Sequence, residues 1–364
     1  MTEWKEYKLG EIVTFGNGKV RPQKQGDIPI YGGNGILGYC DEYNYCGETV
    51  IVGRVGAYCG SVYYENRPIW VSDNALALKP KNNYNTKFIY YLLKKYNLNE
   101  YAEGSSHPLV TQTLLNAIEI IFTDDIEAQI RIASILSSLD DKIDLLHREN
   151  KTLEAMAETL FRQWFIEEAK EDWKEGKLGD IISVKGGTTP STKEPHFWNG
   201  DIAWTSPRDV TTLNGLYLFE TEKKITQKGL EQISSGLLPA GTLLMSSRAP
   251  VGVLAFSEIP IAINQGYIAI LDDKGYEKEF IYLWLKANMD TIHSYSNGST
   301  FMEISKSAFK SIDILIPTKE EVNDFVDRVK PIFEKIKANV LQIQTLIQQR
   351  DSLLPKLMSG EVEI

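Results

Sequence analysis

The sequence consists of two similar halves, and this internal repeat restricts the possible folds of the chain more than any other feature. Trp4–Ile12 returns as Trp173–Ile181, 169 positions later, and Phe88–Lys94 returns as Phe280–Lys286, 192 positions later. The second half therefore carries 23 more residues between these anchors. Since the anchors persist while the segment between them varies, we expect two globules that share a fold and differ in task.

Each half ends in a heptad pattern. Apolar residues step alternately by 4 and 3 from Ile132 to Trp164, and again from Phe325 to Leu357. An a/d seam of about 35 residues predicts helices about 50 Å long. Each needs a long partner, so we expect the two to pair as an antiparallel coiled coil with pseudo-twofold symmetry. The predicted seam residues are Leu136, Leu139, Ile143, Leu146, Leu153, Leu160, Val329, Ile332, Ile336, Ile343, Leu346 and Leu353, interrupted by Asn150, Asn339 and Arg350.

The blocks before the helices read as mixed α/β structure. Short helices are predicted at Phe88–Tyr96 and Phe280–Met289. Strands are predicted at β-branched or aromatic runs, namely Thr49–Val55, Ile69–Leu78, Leu243–Ser247 and Ile259–Ile270. The predicted fold class is α+β, with globules at 1–123 and 172–317 and long helices within 124–171 and 318–364.

Composition and charge argue against a membrane protein and against a protein that binds nucleic acids indiscriminately. Of 364 residues, 43% are hydrophobic and 24% charged, as in ordinary globular proteins, and no apolar run reaches the length of a membrane span, so we expect a cytoplasmic protein. The net charge of −10 argues against indiscriminate nucleic-acid binding. However, residues 124–171 hold 12 acids against 6 bases, which leaves two nearly neutral blocks able to present local basic faces. The three cysteines are expected to be reduced thiols.

We find no convincing catalytic or cofactor motif. Gly33–Gly38 matches G-x-G-x-x-G, but no apolar helix follows it to receive a pyrophosphate. Pro207-Arg208-Asp209 with Glu222–Lys224 resembles a nuclease metal site only loosely, and the first half has no counterpart. The four histidines lack partners at ligand or triad spacing. We therefore predict a chain with no catalytic residues, metal site or bound cofactor.

The remaining candidate functional residues are polar side chains in loops, at corresponding positions of the two halves. Gly53–Gly56 corresponds to Ser247–Gly252, each with an arginine after an apolar strand, and Val71–Asn74 corresponds to Ile263–Gly266. Arginine suits guanine or phosphate, and asparagine or glutamine suits adenine, although a structural ion pair is nearly as good an explanation for a lone arginine. The candidate DNA contacts are Lys19, Arg21, Lys24, Asn34, Arg54, Arg67, Ser72, Asn74, Ser105, Ser106, Lys185, Thr188, Thr189, Ser191, Arg208, Ser247, Arg248, Asn264, Gln265, Ser299 and Thr300.

These doubled patterns resemble one family over essentially the whole chain. The Trp-Lys-x-x-Lys-Leu-Gly-[Glu/Asp]-Ile anchor, the Ile28–Ile36 stretch, the arginine–glycine turn and the Gly-Ser-[Ser/Thr] segment are similar to those of DNA-specificity subunits of type I restriction-modification systems. The resemblance implies two target-recognition domains that each read half of a split, asymmetric DNA site, and two helices that space them. It also implies docked modification (methyltransferase) subunits, two in number, and a restriction subunit, with S-adenosylmethionine, ATP and magnesium bound by those partners.

Two other functions stay open at this point. The repeat also suits a non-enzymatic scaffold whose two globules bind proteins through aromatic loops. Salt dependence separates it from a DNA-binding protein, because phosphate contacts weaken steeply as salt rises. The second is a self-contained nuclease or methylase, which would modify or cut DNA without other subunits.

Overall fold

The computed structural model describes residues 3–104, 108–298 and 302–362. It divides into two compact units: unit 1 contains Met1–Asp144 and Gln344–Ile364, and unit 2 contains Leu145–Ile343. Each unit therefore combines one predicted globule with a part of both long helices.

Among its described residues, the first globule contains nine strands and three short helices, and it leads into a long helix. In chain order these are β1 (Lys5–Lys8), α1 (Leu9–Ile12), β2 (Val13–Asn17), β3 (Ile28–Gly32), β4 (Gly35–Cys40), β5 (Thr49–Gly53), β6 (Val62–Glu65), β7 (Trp70–Val71), β8 (Ala75–Pro80), α2 (Thr86–Lys95), α3 (Gln112–Ala117), β9 (Glu119–Phe122) and the long helix α4 (Ile126–Arg162). A 3-10 turn covers Leu98–Tyr101.

Two sheets form the body of this globule. An antiparallel sheet has the order β2-β8-β5-β6, and a second sheet has the order β4-β3-β7, with β3 and β7 parallel. β1 pairs with β9 at the junction with α4. The predicted run Ile69–Leu78 is two strands, because a turn at 72–74 carries the chain from one sheet to the other. The run at Thr49–Val55 ends earlier than predicted, at Gly53.

The second globule repeats this plan with insertions. Its elements are β10 (Lys174–Lys177), α5 (Leu178–Ile181), β11 (Ser183–Lys185), β12 (Trp198–Thr205), α6 (Pro207–Thr211), β13 (Tyr217–Leu218), β14 (Lys223–Ile225), α7 (Gln227–Leu230), β15 (Leu243–Ser247), β16 (Val251–Ser257), β17 (Ala262–Ile263), β18 (Tyr267–Leu271), α8 (Lys278–Ala287), α9 (Met289–Ser294), α10 (Lys306–Lys310), β19 (Asp313–Ile316) and the long helix α11 (Lys319–Leu357). The predicted strand Ile259–Ile270 is likewise split by a turn, into β17 and β18.

The sheets of unit 2 correspond strand by strand to those of unit 1. The order β11-β18-β15-β16 matches β2-β8-β5-β6, and β14-β12-β17, with β12 and β17 parallel, matches β4-β3-β7. β10 pairs with β19 as β1 pairs with β9. The edge strand β13 is an addition to unit 2. The repeat in the sequence is therefore a repeat of fold.

The helices pair antiparallel in unit 2. The Asn339 side-chain amide donates to Oδ1 of Asn150 at 2.8 Å, and both residues are buried. Further along, the rings of Phe161 and Phe325 lie 6.0 Å apart. The residue number rises on one helix as it falls on the other, which is the predicted antiparallel direction.

The helices also pair antiparallel in unit 1. Arg350 donates to Asp140 at 2.7 Å, and Leu357 packs in the same core as Ile132 and Leu136. Every predicted seam residue is buried or half-buried, whereas residues such as Leu145, Met156 and Leu341, away from the seam, are exposed. The burial of the seam residues agrees with the predicted heptads, and off-seam residues such as Phe161 and Phe333 are buried as well.

Each long helix begins at a network of polar side chains. At α4, Asp125 accepts from the backbone of Ala128, and hydrogen bonds from Tyr7 and Tyr84 lower the pKa of Asp124. At α11, Thr318 and Glu321 form the cap. Since Lys170 and Thr318 also donate to Glu321, its pKa falls to about 2. Across the described residues, no helix is both long and apolar enough to cross a membrane.

Candidate nucleic-acid interface

In unit 1 the chain leaving β5 meets the turn between β7 and β8. The backbone N–H of Arg54 donates to the carbonyl of Asn74 at 2.9 Å, and the Arg54 carbonyl accepts from Val110 at 2.9 Å. The next residue, Val55, pairs with Leu109 in an isolated bridge. These bonds fix the backbone around Arg54 on two sides.

Two more loops contact the turn between β7 and β8. Ser72 donates to the carbonyl of Tyr31 at 2.8 Å, just before the β3–β4 turn that exposes Asn34, and Asp73 donates to that of Lys19 at 3.1 Å. Gly18 lies so close to the backbone of Ser72 that a Cβ there would collide with it. We call the gathered residues Lys19, Asn34, Arg54, Val55, Asp73 and Asn74 cluster 1.

Unit 2 builds the same junction with equivalent bonds. Ser247 donates to the carbonyl of Gly266 at 2.8 Å and accepts from Ile304 at 3.0 Å, and Asn264 donates to that of Thr205 at 3.0 Å. The carbonyl of Thr188 also accepts from the indole of Trp204 on β12, whereas the carbonyl of Lys19 accepts from the indole of Trp70 on β7. Gly187, like Gly18, lies too close to a neighbouring backbone to carry a Cβ. We call the corresponding residues Thr188, Arg208, Ser247, Arg248, Gln265 and Gly266 cluster 2.

These bonds correct the alignment of the two arginines. Arg54 corresponds to Ser247, because both donate to the turn and accept from the following segment in the same way. Val55 then corresponds to Arg248, which pairs with Glu303 as Val55 pairs with Leu109. The expectation that Arg54 and Arg248 occupy the same place is wrong by one residue.

The corrected pair shares an unusual property. Arg54 Nε and Ser247 Oγ are both buried, and neither has a hydrogen-bond partner among the described residues. Buried polar atoms are normally paired, so an unpaired atom at the same point of both units marks a position where the fold leaves hydrogen-bonding capacity unused. Ser72 and Ser247 are themselves almost fully buried, which leaves their hydroxyls no surface for a direct DNA contact.

Several other candidate side chains bond within unit 2. Thr189 donates to Gln265 Oε1 at 2.7 Å, so these two exposed candidates lie together. Thr188 Oγ1 donates to the carbonyl of Gln232 at 2.6 Å, and Asn264 Oδ1 accepts from Gly266 at 2.8 Å. Ser191 accepts from its own loop, and the Lys185 ammonium lies 3.5 Å from a carbonyl oxygen. Gln265 is therefore the exposed amide of the turn, while Asn264 shapes it.

The remaining basic candidates differ in their surroundings. Lys24 forms an ion pair with Asp41, and Arg67 forms one with Glu65 at 2.9 Å, so both charges have partners away from cluster 1. Arg21 and Arg208 are exposed, with no ion pair among the described residues. The candidates Ser105, Ser106, Ser299 and Thr300 lie outside the described residues.

Sequence reasoning missed one cation beside cluster 2. Lys306 is exposed at the start of α10, and its ammonium lies against Gly186, next to the Gly187–Thr188 backbone. The corresponding residue of unit 1, Gln112, donates to Asn17 at 2.8 Å. The sequence contained a signal that could have identified Lys306 and its counterpart Gln112. Each follows a hydroxyl N-cap residue, Ser305 or Thr111, shortly after the repeated Gly-Ser-[Ser/Thr] anchor.

The weaker catalytic patterns have structural explanations. Asp209 accepts from the side chain of Thr205 and from the backbones of Ser206 and Glu222, so its carboxylate is occupied in capping α6. Gly33–Gly38 lies in the β3–β4 hairpin, with no helix after it. The three cysteines are free, and the described residues contain no cluster of three or more metal-ligating side chains.

Comparison with known proteins decides the family. A model of the type I restriction modification DNA specificity domain matches twice, at residues 1–155 and 170–349. The chain belongs to this family. The matched model describes a DNA specificity domain, in agreement with the prediction that this is not the catalytic subunit, and its two copies coincide with the two halves of the repeat.

Relatives agree with this type I specificity family. The specificity subunit of the MjaIX enzyme of Methanocaldococcus jannaschii is 37% identical over 166 residues, an alignment that covers 45% of this chain and 38% of that protein. The HindI specificity subunit of Haemophilus influenzae is 23% identical and aligned over the full length of both chains. A crystal structure of the specificity subunit from Mycoplasma genitalium has the same fold, with a TM-score of 0.65, 19% identity and coverage of 98% of this chain and 96% of that one.

Proposed function

We propose that the chain recognises a bipartite, asymmetric DNA site, with one half-site read by unit 1 and the other by unit 2, and that it positions separate methyltransferase and restriction subunits on that site. The observation that carries this proposal is the pair of clusters. The same backbone junction is built twice, and its exposed side chains differ between the copies. A protein that read the same bases twice would need no such difference.

The chemistry of the clusters suits DNA. Lys19 and Lys306 are exposed cations beside the loops, and Arg208, Arg248, Asn34 and Gln265 offer the donors that bind base edges or phosphates. The net charge of −10 does not oppose this binding, because much of the acidic excess belongs to α4 and its flanks. We propose that this acidic helix faces away from DNA or toward a partner subunit.

The proposal assigns no turnover to this chain. Methyl transfer from S-adenosylmethionine and ATP- and magnesium-dependent cleavage would belong to the partner subunits. The chain supplied with S-adenosylmethionine, magnesium and ATP in the presence of DNA should neither methylate nor cut it. Activity of the chain alone would contradict the assignment.

A salt titration tests the DNA contact itself. The full-length chain, with the subunits that copurify with it, is used to select duplexes from a random pool, and the affinity for the selected site is measured at several salt concentrations. The logarithm of the affinity should fall by about 0.9 per neutralised phosphate for each unit of log salt. An affinity that barely changes with salt would favour the protein-binding scaffold.

Two lysines of unit 1 provide a matched pair for that titration. Lys19 belongs to cluster 1, whereas Lys24 is paired with Asp41. Lys19→Ala should reduce the salt slope by about 1, with a similar loss on all sequences, and Lys24→Ala should leave it unchanged. Equal effects of the two variants would mean that cluster 1 does not mark the interface.

A further inference from the structure

The clusters differ in chemistry at one position that backbone pairing shows to be equivalent. Val55 pairs with Leu109 and Arg248 pairs with Glu303, each one residue after the junction that Arg54 or Ser247 forms. The same backbone therefore carries a valine in unit 1 and an arginine in unit 2.

Both side chains are available at this position. Arg54 and Ser247 each bury a polar atom, and successive residues of an extended segment point to opposite sides, so the residue that follows each of them points away from the core. Val55 is 36% exposed. Arg248 is half-buried and has no ion pair among the described residues.

The surroundings of Val55 are apolar and those of Arg248 are polar, as are the two side chains themselves. Near Val55, Tyr58 is 58% exposed in the turn that follows, which adds apolar surface to cluster 1. Near Arg248, the exposed turn presents the Thr189–Gln265 hydrogen bond. In the major groove, an apolar side chain has one base-specific partner, the C5-methyl group of thymine, whereas arginine is best matched by O6 and N7 of guanine.

We propose that Val55 and Arg248 are specificity-determining residues at this equivalent position. Val55 contacts the methyl group of thymine in the half-site of unit 1, and Arg248 donates to O6 and N7 of guanine in the half-site of unit 2. This inference rests on the proposed function and goes further by naming the base group that each unit reads there.

Deoxyuridine, which lacks only the methyl group of thymine, tests the first contact. Duplexes selected by the full-length chain with its copurifying subunits are resynthesised with deoxyuridine at each thymine in turn. One replacement in one half-site should lower the affinity about fourfold, the value of one buried methyl group. In Val55→Ala the same replacement should have no effect.

Arginine variants test the second contact. Arg248→Val should reduce the preference for guanine at one position of the other half-site by about 5- to 150-fold. Val55→Arg should create a preference for guanine where the wild-type chain prefers thymine. Val362→Ala and Arg131→Ala, which change a valine 39% exposed and an exposed helical arginine outside the clusters, serve as controls and should select the wild-type site.

The outcomes separate this inference from the proposed function. If no duplex is selected at any salt concentration, the DNA-binding function itself fails. If two half-sites are selected but deoxyuridine has no effect at any thymine, or if Arg248→Val keeps every guanine preference, the assignment of this position is overturned while DNA recognition stands.

Discussion

Clusters 1 and 2 show the same backbone with different side chains. The N–H groups of Arg54 and Ser247 reach their turns at 2.9 and 2.8 Å, yet the residues that follow are valine and arginine. Asp73 and Gln265 likewise occupy one turn position, with a carboxylate in unit 1 and an amide in unit 2. Main-chain bonds hold the loops in place whatever the side chains are, so exposed residues can change without loss of the fold. The backbone framework and the exposed contact residues are therefore separable in this protein.

The same contrast extends to the polar residues of the helix seam. Unit 2 has the buried amide pair Asn150–Asn339, whereas unit 1 has Asp140, which accepts from Arg350 at 2.7 Å and from the Tyr91 hydroxyl at 2.7 Å. An amide pair offers few alternative partners when buried, while Asp140 keeps one donor if it loses the other. The two ends of the coiled coil should therefore respond differently to mutation.

The largest effect is expected from changing the length of both helices. Seven residues inserted after Leu146 and after Asn339 preserve the heptad phase and lengthen each helix by about 10 Å. If the helices set the distance between half-sites, the spacer of the selected DNA should lengthen by about three base pairs, with both half-site sequences unchanged. Selection from a random DNA pool with the partner subunits present measures the spacer.

A four-residue insertion at the same places is the control for that prediction. It breaks the seam phase and should destabilise the protein, as seen in chemical denaturation. An unchanged spacer in the seven-residue variant, with binding retained, would show that the helices do not act as a ruler.

Next in size is the loss of one buried amide. Asn339→Leu leaves Asn150 buried without its partner and should lower the free energy of unfolding by about 1–3 kcal/mol, measured by urea denaturation. Asn150→Leu combined with Asn339→Leu should recover much of that loss, since neither polar group then remains. Arg350→Leu should cost less than Asn339→Leu, because Tyr91 still donates to Asp140. A larger loss for Arg350→Leu would reverse this comparison.

A smaller, pH-dependent effect is expected at the start of α11. The Glu321 pKa of about 2 lies below its unfolded value, so this carboxylate stabilises the fold above about pH 4.3, and the contribution is lost as the pH falls toward 2. Glu321→Ala should cost about 1 kcal/mol at pH 7, the usual value of a helix cap, and much less at pH 2. Urea denaturation at both pH values measures this, and a cost independent of pH would contradict the role of the charge.

The smallest effect concerns another pair of corresponding residues, Lys87 in α2 and Glu279 in α8. Glu279 is buried, its Oε2 has no partner among the described residues, and burial raises its pKa. Its folded pKa lies above the unfolded one, so its contribution to stability is complete below about pH 4.3 and falls as the pH rises through the folded pKa. Glu279→Gln should raise the melting temperature at pH 7 and leave it unchanged near pH 4. Lys87→Gln should change neither, and stabilisation confined to low pH would refute the prediction.

Much of the fold could be predicted because its signals are local and repeated. The anchors at Trp4 and Trp173 showed the duplication, and the seams from Ile132 and Phe325 showed the long helices, since apolar periodicity reports burial directly. The strand boundaries at Ile69–Leu78 were missed because a turn of polar residues can lie inside an otherwise apolar run.

The candidate site was less predictable because it depends on register and on distant partners. In an extended segment, a shift of one residue changes the side to which the aligned side chain points. Aligning Arg54 with Arg248 by residue type therefore concealed the structurally equivalent pair, Arg54 and Ser247. Likewise, nothing in the sequence near Lys24 shows that Asp41, across the β3–β4 hairpin, takes up its charge. Only hydrogen bonds between separate segments distinguish such residues from Lys19.

The division of the chain has a consequence for the order of its synthesis. Unit 2 is one continuous stretch, 145–343, whereas unit 1 takes segments from both sides of it. Leu357 and Met358 are buried in the core of unit 1 with Phe88 and Leu136. A ribosome therefore completes everything that unit 2 requires before it makes the last segment of unit 1. The core of unit 1, most of which is translated first, therefore stays incomplete until the residues translated last are made.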